Sequence, residues 1–156
     1  MTIRPATGEA DYATVRRLFR EYVDWLGVDL SFQNFEGELA GLPGAYAPPR
    51  GRLLIAGDGD DDQEGAGCVA LRPLDEETCE MKRMYVRPAH RGTGLGRRLA
   101  LTIMEEARAI GYRRMRLDTL ERLTTAQKLY ESLGFREIAQ YGSHPVPGSK
   151  FYEVNL

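Results

Sequence analysis

Three glycines at alternate positions, Gly92, Gly94 and Gly96, stand between Arg91 and the pair Arg97 and Arg98 in the stretch PAHRGTGLGRR. Before this stretch, Cys79 to Val86 reads as a short strand bounded by turn residues. After it, Gly96, Ala100, Ile103, Ala107 and Ile110 recur at helical spacing, so a helix is expected from Gly94 to Ile110. Gly111 stops that helix, and RMRLDT, Arg114 to Thr119, alternates as a strand does. Strand, turn, helix and strand make a β-α-β unit, which confines the chain to a mixed α/β architecture. The turn then has a chemical meaning. Amide N–H groups at the start of a helix converge on an anion, glycines allow close backbone approach, and arginines add donors suited to phosphate oxygens. The expected guest is a pyrophosphate or a similar polyanion.

The remaining chain supplies partners for that unit. A strand is expected at Thr2 to Arg4, and Glu9 to Leu26 places Val15, Leu18, Phe19, Tyr22, Val23 and Leu26 on one helical face ended by Gly27. A shorter helix around Asn34 to Gly41 runs into the turn-rich LPGAYAPPRG. Arg52 to Ala56 and Gly67 to Arg72 read as a hairpin. Its acidic connection, GDGDDDQEGAG, puts Gln63 and Val69 where a calcium loop counted from Asp58 needs Gly and Glu, so it reads as a solvated tip. Thr124 to Gln127 has the form of a capping box ahead of an apolar stripe of Ala126, Leu129, Tyr130 and Leu133, with Gly134 as the C-terminal cap. Phe135 to Tyr141 and Lys150 to Leu156 read as closing strands around the turn GSHPVPGS.

Composition narrows the class. A chain of 156 residues, 42% hydrophobic, is long enough to bury roughly two-thirds of its unfolded surface, and one domain over residues 1–156 is expected. With 21 basic against 23 acidic residues, a net charge of -2 argues against a general nucleic-acid or membrane-surface binder. Cys68 and Cys79 belong to no Cys or Cys/His cluster, so buried free thiols are expected rather than a metal site or a disulfide. The opening MTIRPATGEADY has no apolar leader and no run approaches a membrane span, which makes a soluble, cytoplasmic protein the default.

GTGLGR lacks the third glycine of the dinucleotide fingerprint, and no Gly-Lys-Ser/Thr closes a P-loop. Arg91-Gly92-Thr93-Gly94-Leu95-Gly96 instead resembles the Arg/Gln-x-x-Gly-x-Gly/Ala signature of the GNAT superfamily of N-acetyltransferases. The order around it is similar too: Met84-Tyr85-Val86-Arg87-Pro88 precedes the signature, and Leu129-Tyr130-Glu131-Ser132-Leu133-Gly134-Phe135 resembles the family's second recurrent motif. The resemblance implies a mixed, mostly antiparallel sheet of about six to seven strands flanked by about four helices, splayed between its fourth and fifth strands, with acetyl-CoA in the cleft and no metal. By the same resemblance, the amides from Arg91 through Gly92, Thr93, Gly94 and Leu95 to Gly96, with Arg97 beside them, hold the CoA pyrophosphate. Met84, Tyr85 and Val86 lie along the pantetheine arm, where Met84 and Val86 pair with it like an added strand. Family members often carry Asn where this chain has Leu123, a departure that bears on the local cofactor contacts.

The implied reaction is direct transfer of the acetyl group to a primary amine of a small molecule or peptide. A lysine-like amine with a pKa of about 10.4 is neutral only about once in a thousand molecules at pH 7, so removing its proton is worth catalysing. Glu80, six residues before Val86, matches the position of a catalytic glutamate in some members; period-two alternation puts it on one face with Lys82, Met84 and Val86. It reads equally as a carboxylate paired with Lys82 or a neighbouring strand, with Glu153 or a water relay as the alternative base. Tyr130 matches the family tyrosine that protonates the departing thiolate, and also belongs to the apolar stripe of its helix. The segments Tyr22 to Tyr46 and Tyr141 to Lys150, which carry Trp25, Tyr46, Tyr141 and His144, correspond to the acceptor-binding region. A route through Cys68 or Cys79 is not expected, since neither has an adjacent histidine. A homodimer is plausible by resemblance; a non-catalytic acyl-CoA sensor and a binder of some other phosphate are the competing readings.

Overall fold

The computed structural model describes residues 1–31, 34–59, 62–143 and 145–156. In chain order the elements are β1 (Thr2–Pro5), α1 (Gly8–Leu26), α2 (Phe35–Ala40), β2 (Arg52–Gly57), β3 (Gly67–Pro73) and β4 (Thr78–Val86), then α3 (Leu95–Ile110), β5 (Arg114–Leu120), α4 (Thr124–Ser132), β6 (Arg136–Ile138) and β7 (Ser149–Asn155). The strands form one seven-stranded sheet in the order β1-β2-β3-β4-β5-β7-β6. Every pairing is antiparallel except that of β4 with β5. With four α-helices among the described residues, this is the mixed, mostly antiparallel architecture expected from the resemblance.

Alternation in the central strands feeds two cores, one on each face of the sheet. Leu54, Ala56, Val69 and Leu71 pack with Leu99, Ile103 and Ala107 of α3. Leu53, Ile55, Cys68 and Ala70 pack with Val15, Leu18 and Phe19 of α1 and Leu39 of α2. α3 follows its apolar spacing, and Gly111 at φ 112 ends it by donating to the carbonyls of Ala107 and Arg108. At the end of α4, Gly134 adopts φ 95, while its N–H reaches Glu131 O and the Phe135 N–H reaches Tyr130 O, the double bond of a Schellman cap.

Two local expectations are corrected. Leu123, not Thr124, holds the N-cap position of α4. The amide of Gln127 turns back to the carbonyls of Leu120 and Glu121, 2.8 and 2.9 Å away, and so does not close a capping box. β6 stops at Ile138 instead of reaching Tyr141, whose ring packs on Phe151 at 5.3 Å and whose hydroxyl reaches across to Glu80.

The opening in the sheet arises from β4. It pairs with β5 only from Thr78 with Arg114 to Glu80 with Arg116, whereas β5 stays paired with β7 as far as Leu120. Just past the last rung, β4 bulges: Cys68 pairs with Tyr85 but Ala70 pairs with Lys82, so Arg83 and Met84 together oppose Val69. Arg83 adopts φ 58, a conformation that costs a side-chain-bearing residue about 1–3 kcal/mol. The residue is 8% exposed, and its guanidinium donates to both oxygens of Glu38 on α2 at 3.0 and 2.9 Å and lies over the Phe35 ring. Charged hydrogen bonds contribute about 1.5–3 kcal/mol each, enough to hold the bulge. Burial acts to raise the Glu38 carboxyl, but Arg83 outweighs it and leaves Glu38 below its ordinary range.

The bulge overturns the expected shared face of Glu80, Lys82, Met84 and Val86. Cys79 and Met81 point into the α3 core, and the extra residue returns Met84 and Val86 to that same side. Glu80 and Lys82 are left on the opposite face, where Tyr85 joins the core under α1. Strict alternation fails because its period assumes an unbroken pleat.

Candidate functional site

Between the splayed strands lies a cavity of about 350 Å³ whose walls include Met84, Val86, Leu129 and Tyr130, with Tyr22 of α1 on one side and Gly96 at the helix start. Its edge on β4 is free of a strand partner beyond Glu80. The Arg87 N–H donates to Ala66 O, and an added Cβ on Gly67 would lie 2.6 Å from the Tyr85 carbonyl oxygen, so Tyr85 turns its backbone toward β3. Successive residues of an antiparallel strand turn to opposite edges, which directs the N–H and C=O groups of Met84 and Val86 into the cavity. The Val86 carbonyl already accepts from Arg91 Nε at 2.9 Å.

The glycine turn closes one end of this cavity. Gly92 and Gly94 adopt φ 77 and 83, and a Cβ at either would meet no heavy atom within 4 Å. The positive-φ backbone, not crowding inside the protein, therefore favours glycine there. At Gly96 an added Cβ would stand 3.8 Å from the side chains of Val86 and Leu129, on the cavity wall. The first bond across the start of α3 runs from the Arg98 N–H to Gly94 O, so the N–H groups of Leu95, Gly96 and Arg97 precede the helix's own ladder. Three oriented amides at the positive end of a sixteen-residue helix fit a phosphate.

The neighbouring side chains are arranged around that opening. Arg91 lies over the rings of Trp25 and Tyr85, at 4.6 and 5.8 Å from their centroids. The Thr93 hydroxyl donates to His90 O at 2.7 Å, bracing the turn. Arg97 donates to the Ser132 hydroxyl at 3.0 Å, tying the turn to the end of α4, while Arg98 reaches the carbonyl of Met1. The buried side chain of Leu95 anchors the helix start in the core.

Tyr130 fits both of its expected roles. It is 6% exposed, packs edge-on against Phe135 and forms part of the cavity wall. Burial, with smaller effects from Tyr22 and Asp118, raises its phenol well above the ordinary tyrosine range, so it keeps its proton at neutral pH.

On the other face of β4 lies a second, polar cavity of about 530 Å³; Arg83 and Asp118 line both this one and the first. Glu80 is 3% exposed within it. One oxygen accepts from Arg72 Nε at 2.7 Å, the other from the Tyr141 hydroxyl at 2.8 Å, and Lys82 Nζ lies 3.8 Å away. Glu153 is likewise committed, between Arg116 at 2.7 Å and Arg136 at 3.2 Å. Tyr46 and Tyr141 line this cavity, whereas Trp25 lines the first; His144 lies outside the described residues. Both cysteines are buried free thiols, and burial pushes Cys79 up to about 12, which keeps it a thiol.

Asp118 is absent from the sequence-derived candidates. It sits on β5 two residues beyond the last rung with β4, half-buried, and among the described residues its carboxylate makes no hydrogen bond or ion pair. The one sequence signal is an acid in the interior of the alternating strand RMRLDT.

Comparison with known proteins gives a consistent result. The model of the Acetyltransferase (GNAT) family matches residues 14–135. An uncharacterized N-acetyltransferase of Schizosaccharomyces pombe is 39% identical over 147 residues, covering 94% of this chain and 89% of its own length. An acetyltransferase structure from Streptococcus agalactiae superposes with a TM-score of 0.82 at 23% identity, covering 99% of this chain and 98% of that one. A Salmonella typhimurium structure described with its cofactor acetyl-CoA gives a TM-score of 0.68 at 24% identity, covering 99% and 93%.

Proposed function

The chain belongs to the GNAT family of acetyltransferases, and from that premise we propose that it transfers the acetyl group of acetyl-CoA directly to a primary amine of a small molecule or peptide. The observation that carries the reading is the gap between β4 and β5, with a phosphate-sized turn at one end and a polar cavity meeting it at Arg83 and Asp118. Acetyl-CoA, when bound, supplies an activated thioester. The N–H groups of Leu95, Gly96 and Arg97, approached over Gly92, Thr93 and Gly94, hold its pyrophosphate, while the Arg91 N–H is already given to Pro88 O. Met84 and Val86 bind the pantetheine arm along the open edge of β4, and the Tyr85 ring supports Arg91 between turn and groove.

The Val86 N–H donates to the thioester oxygen as negative charge grows there during attack. Tyr130, kept protonated by burial, stands ready to protonate the departing sulfur. Glu80 lies on the acceptor side of β4, where its oxygens accept one hydrogen bond each, from Arg72 and from the Tyr141 hydroxyl; each oxygen keeps a second lone pair that can accept from a bound amine. With those two partners it shapes the acceptor wall.

Calorimetric titration with CoA, followed by thiol release from acetyl-CoA across amines, amino acids and peptides, tests this reading. Tight CoA binding with amine-dependent release is expected. Binding without turnover above hydrolysis for every acceptor would favour a sensing domain, and failure to bind CoA would refute the cofactor site.

A further inference from the structure

Most of the charged groups that line the polar cavity already have partners. Arg83 is held by Glu38, Arg72 by Glu80, and Arg116 by Glu153. Asp75 accepts from the backbone N–H groups of Glu77 and Thr78 at 2.8 Å. Among the described residues of that wall, two charges lack a close partner. Lys82 has a side chain only 14% exposed, and its nearest carboxylate oxygen, on Glu80, is 3.8 Å away and already bonded to Arg72. Among the described residues the Asp118 carboxylate makes no ion pair or hydrogen bond, with Lys82 or with any other group. Both residues also border a recess of about 50 Å³ adjoining the cavity, which makes them neighbours across one space.

A sheltered ammonium and a half-buried carboxylate that do not neutralise each other are complementary to a ligand carrying the opposite pair. Asp118 also reaches the thioester groove, whereas Lys82 lies only on the acceptor side. The polarity of the ligand is thereby set: its cationic end faces the thioester. We propose that the acceptor is a free amino acid, with its ammonium at Asp118 and its carboxylate at Lys82. This rests on the acetyltransferase reading and specifies its substrate class.

Asp118 takes one proton from the bound ammonium, leaving a neutral amine. Its lone pair forms the new C–N bond with the acetyl carbon, and the C–S bond breaks with its electron pair on sulfur. The thiolate takes the Tyr130 proton, the phenolate is restored by the proton lost from the new amide nitrogen, and Asp118 releases its proton to solvent. Acetyl-CoA and the ammonium form of the amino acid thus give the N-acetyl amino acid, CoA and one proton.

The test uses the full chain with acetyl-CoA and three matched acceptors: free amino acids, the same amines lacking the carboxylate, and the amino-acid amides. The amino acid is expected to exceed both analogues in kcat/KM by about thirtyfold or more, the scale of an unpaired buried charge. Lys82→Met is expected to reduce that preference at least about tenfold, with Lys82→Arg restoring part of it. Asp118→Asn lowers kcat about a hundredfold, as for loss of a positioned base. A readout independent of turnover is calorimetric binding of the amino acid to protein saturated with CoA, which Lys82→Met should weaken and Lys82→Arg should partly recover. CoA affinity in each variant reports whether the fold is intact. If the chain does not bind CoA, the acetyltransferase reading falls and this inference with it. If it binds CoA but acetylates the carboxylate-free amines as well as the amino acids, or binds and acetylates no amino acid, the inference is overturned while the cofactor site stands.

Discussion

Replacing Gly94 with valine separates the strain of the turn from the ligand that it holds. Gly94 adopts φ 83, and a β-branched residue forced into that region costs about 1–3 kcal/mol. For a chain of 156 residues this corresponds to a fall in melting temperature of about 2–4 °C per kcal/mol. Crowding adds nothing in the protein itself, because a Cβ there meets no heavy atom within 4 Å. On the cradle reading the open space beside Gly94 is the approach of the phosphate to the N–H groups of Leu95, Gly96 and Arg97, which a valine obstructs. Each charge-assisted hydrogen bond lost to a phosphate is worth about 1.5–3 kcal/mol, hence about ten- to a hundredfold in affinity. The assay is calorimetric titration of wild type and Gly94→Val with CoA and with acetyl-pantetheine, which lacks the pyrophosphate. CoA should bind at least about tenfold more weakly to the variant, while acetyl-pantetheine should bind both proteins alike. Unchanged CoA affinity in a folded variant would refute the phosphate cradle. Equal losses for both ligands would show that strain had distorted the groove.

Tyr130→Phe keeps the packing on Phe135 and removes only the phenol proton, so turnover should fall about tenfold or more with CoA affinity unchanged; equal turnover would assign the residue to packing alone. Glu38→Gln breaks a partly buried pair, leaving the Arg83 guanidinium without its carboxylate, and should destabilise the fold by about 2–3 kcal/mol at pH 7, measured by urea unfolding. The folded Glu38 carboxyl lies below its ordinary value, so its contribution is complete above the unfolded pKa of about 4.3 and is lost as pH falls through the folded one. The gap between wild type and variant should therefore narrow below about pH 4, and a gap that stayed constant down to pH 3 would count against the pair. Thr124→Ala should cost less than about 0.5 kcal/mol because Thr124 does not cap α4, while Gln127→Leu removes the amide's bonds to Leu120 O, which keeps the Leu123 N–H, and to Glu121 O, and should cost about 1 kcal/mol; the reverse order in thermal unfolding would reinstate the capping box.

The parts of the site that were legible in the sequence are those set by residues close together in the chain. Gly92, Gly94 and the stripe from Leu95 to Ala107 determine the turn and α3 by local conformation and spacing. The Schellman cap at Gly134 is local as well. The bulge at Arg83 is different, because what sustains its backbone is Glu38 and Phe35 on α2, more than forty residues earlier. Without those partners an arginine in a strand reads as an ordinary alternating position, and the wrong face for Glu80 follows directly. Asp118 was illegible for a related reason: its exposure to two cavities depends on where β4 parts from β5, which one strand's own pattern does not encode.

The bulge also explains how one strand can serve two cavities. An unbroken β4 would aim Glu80, Lys82, Met84 and Val86 to one side, crowding the acceptor charges into the groove that must take an uncharged pantetheine arm. With one residue inserted at Arg83, the charged pair before the bulge faces the polar cavity, and Met84 and Val86 after it face the groove. Among the described residues the two environments then meet where β4 has left β5, at Arg83 and Asp118. An amine held at Asp118 can approach the thioester through that junction while its charged remainder stays on the polar side. The strain at Arg83 is in this sense a condition of the chemistry, and the Glu38 pair that relieves it belongs to the functional architecture although it touches neither substrate.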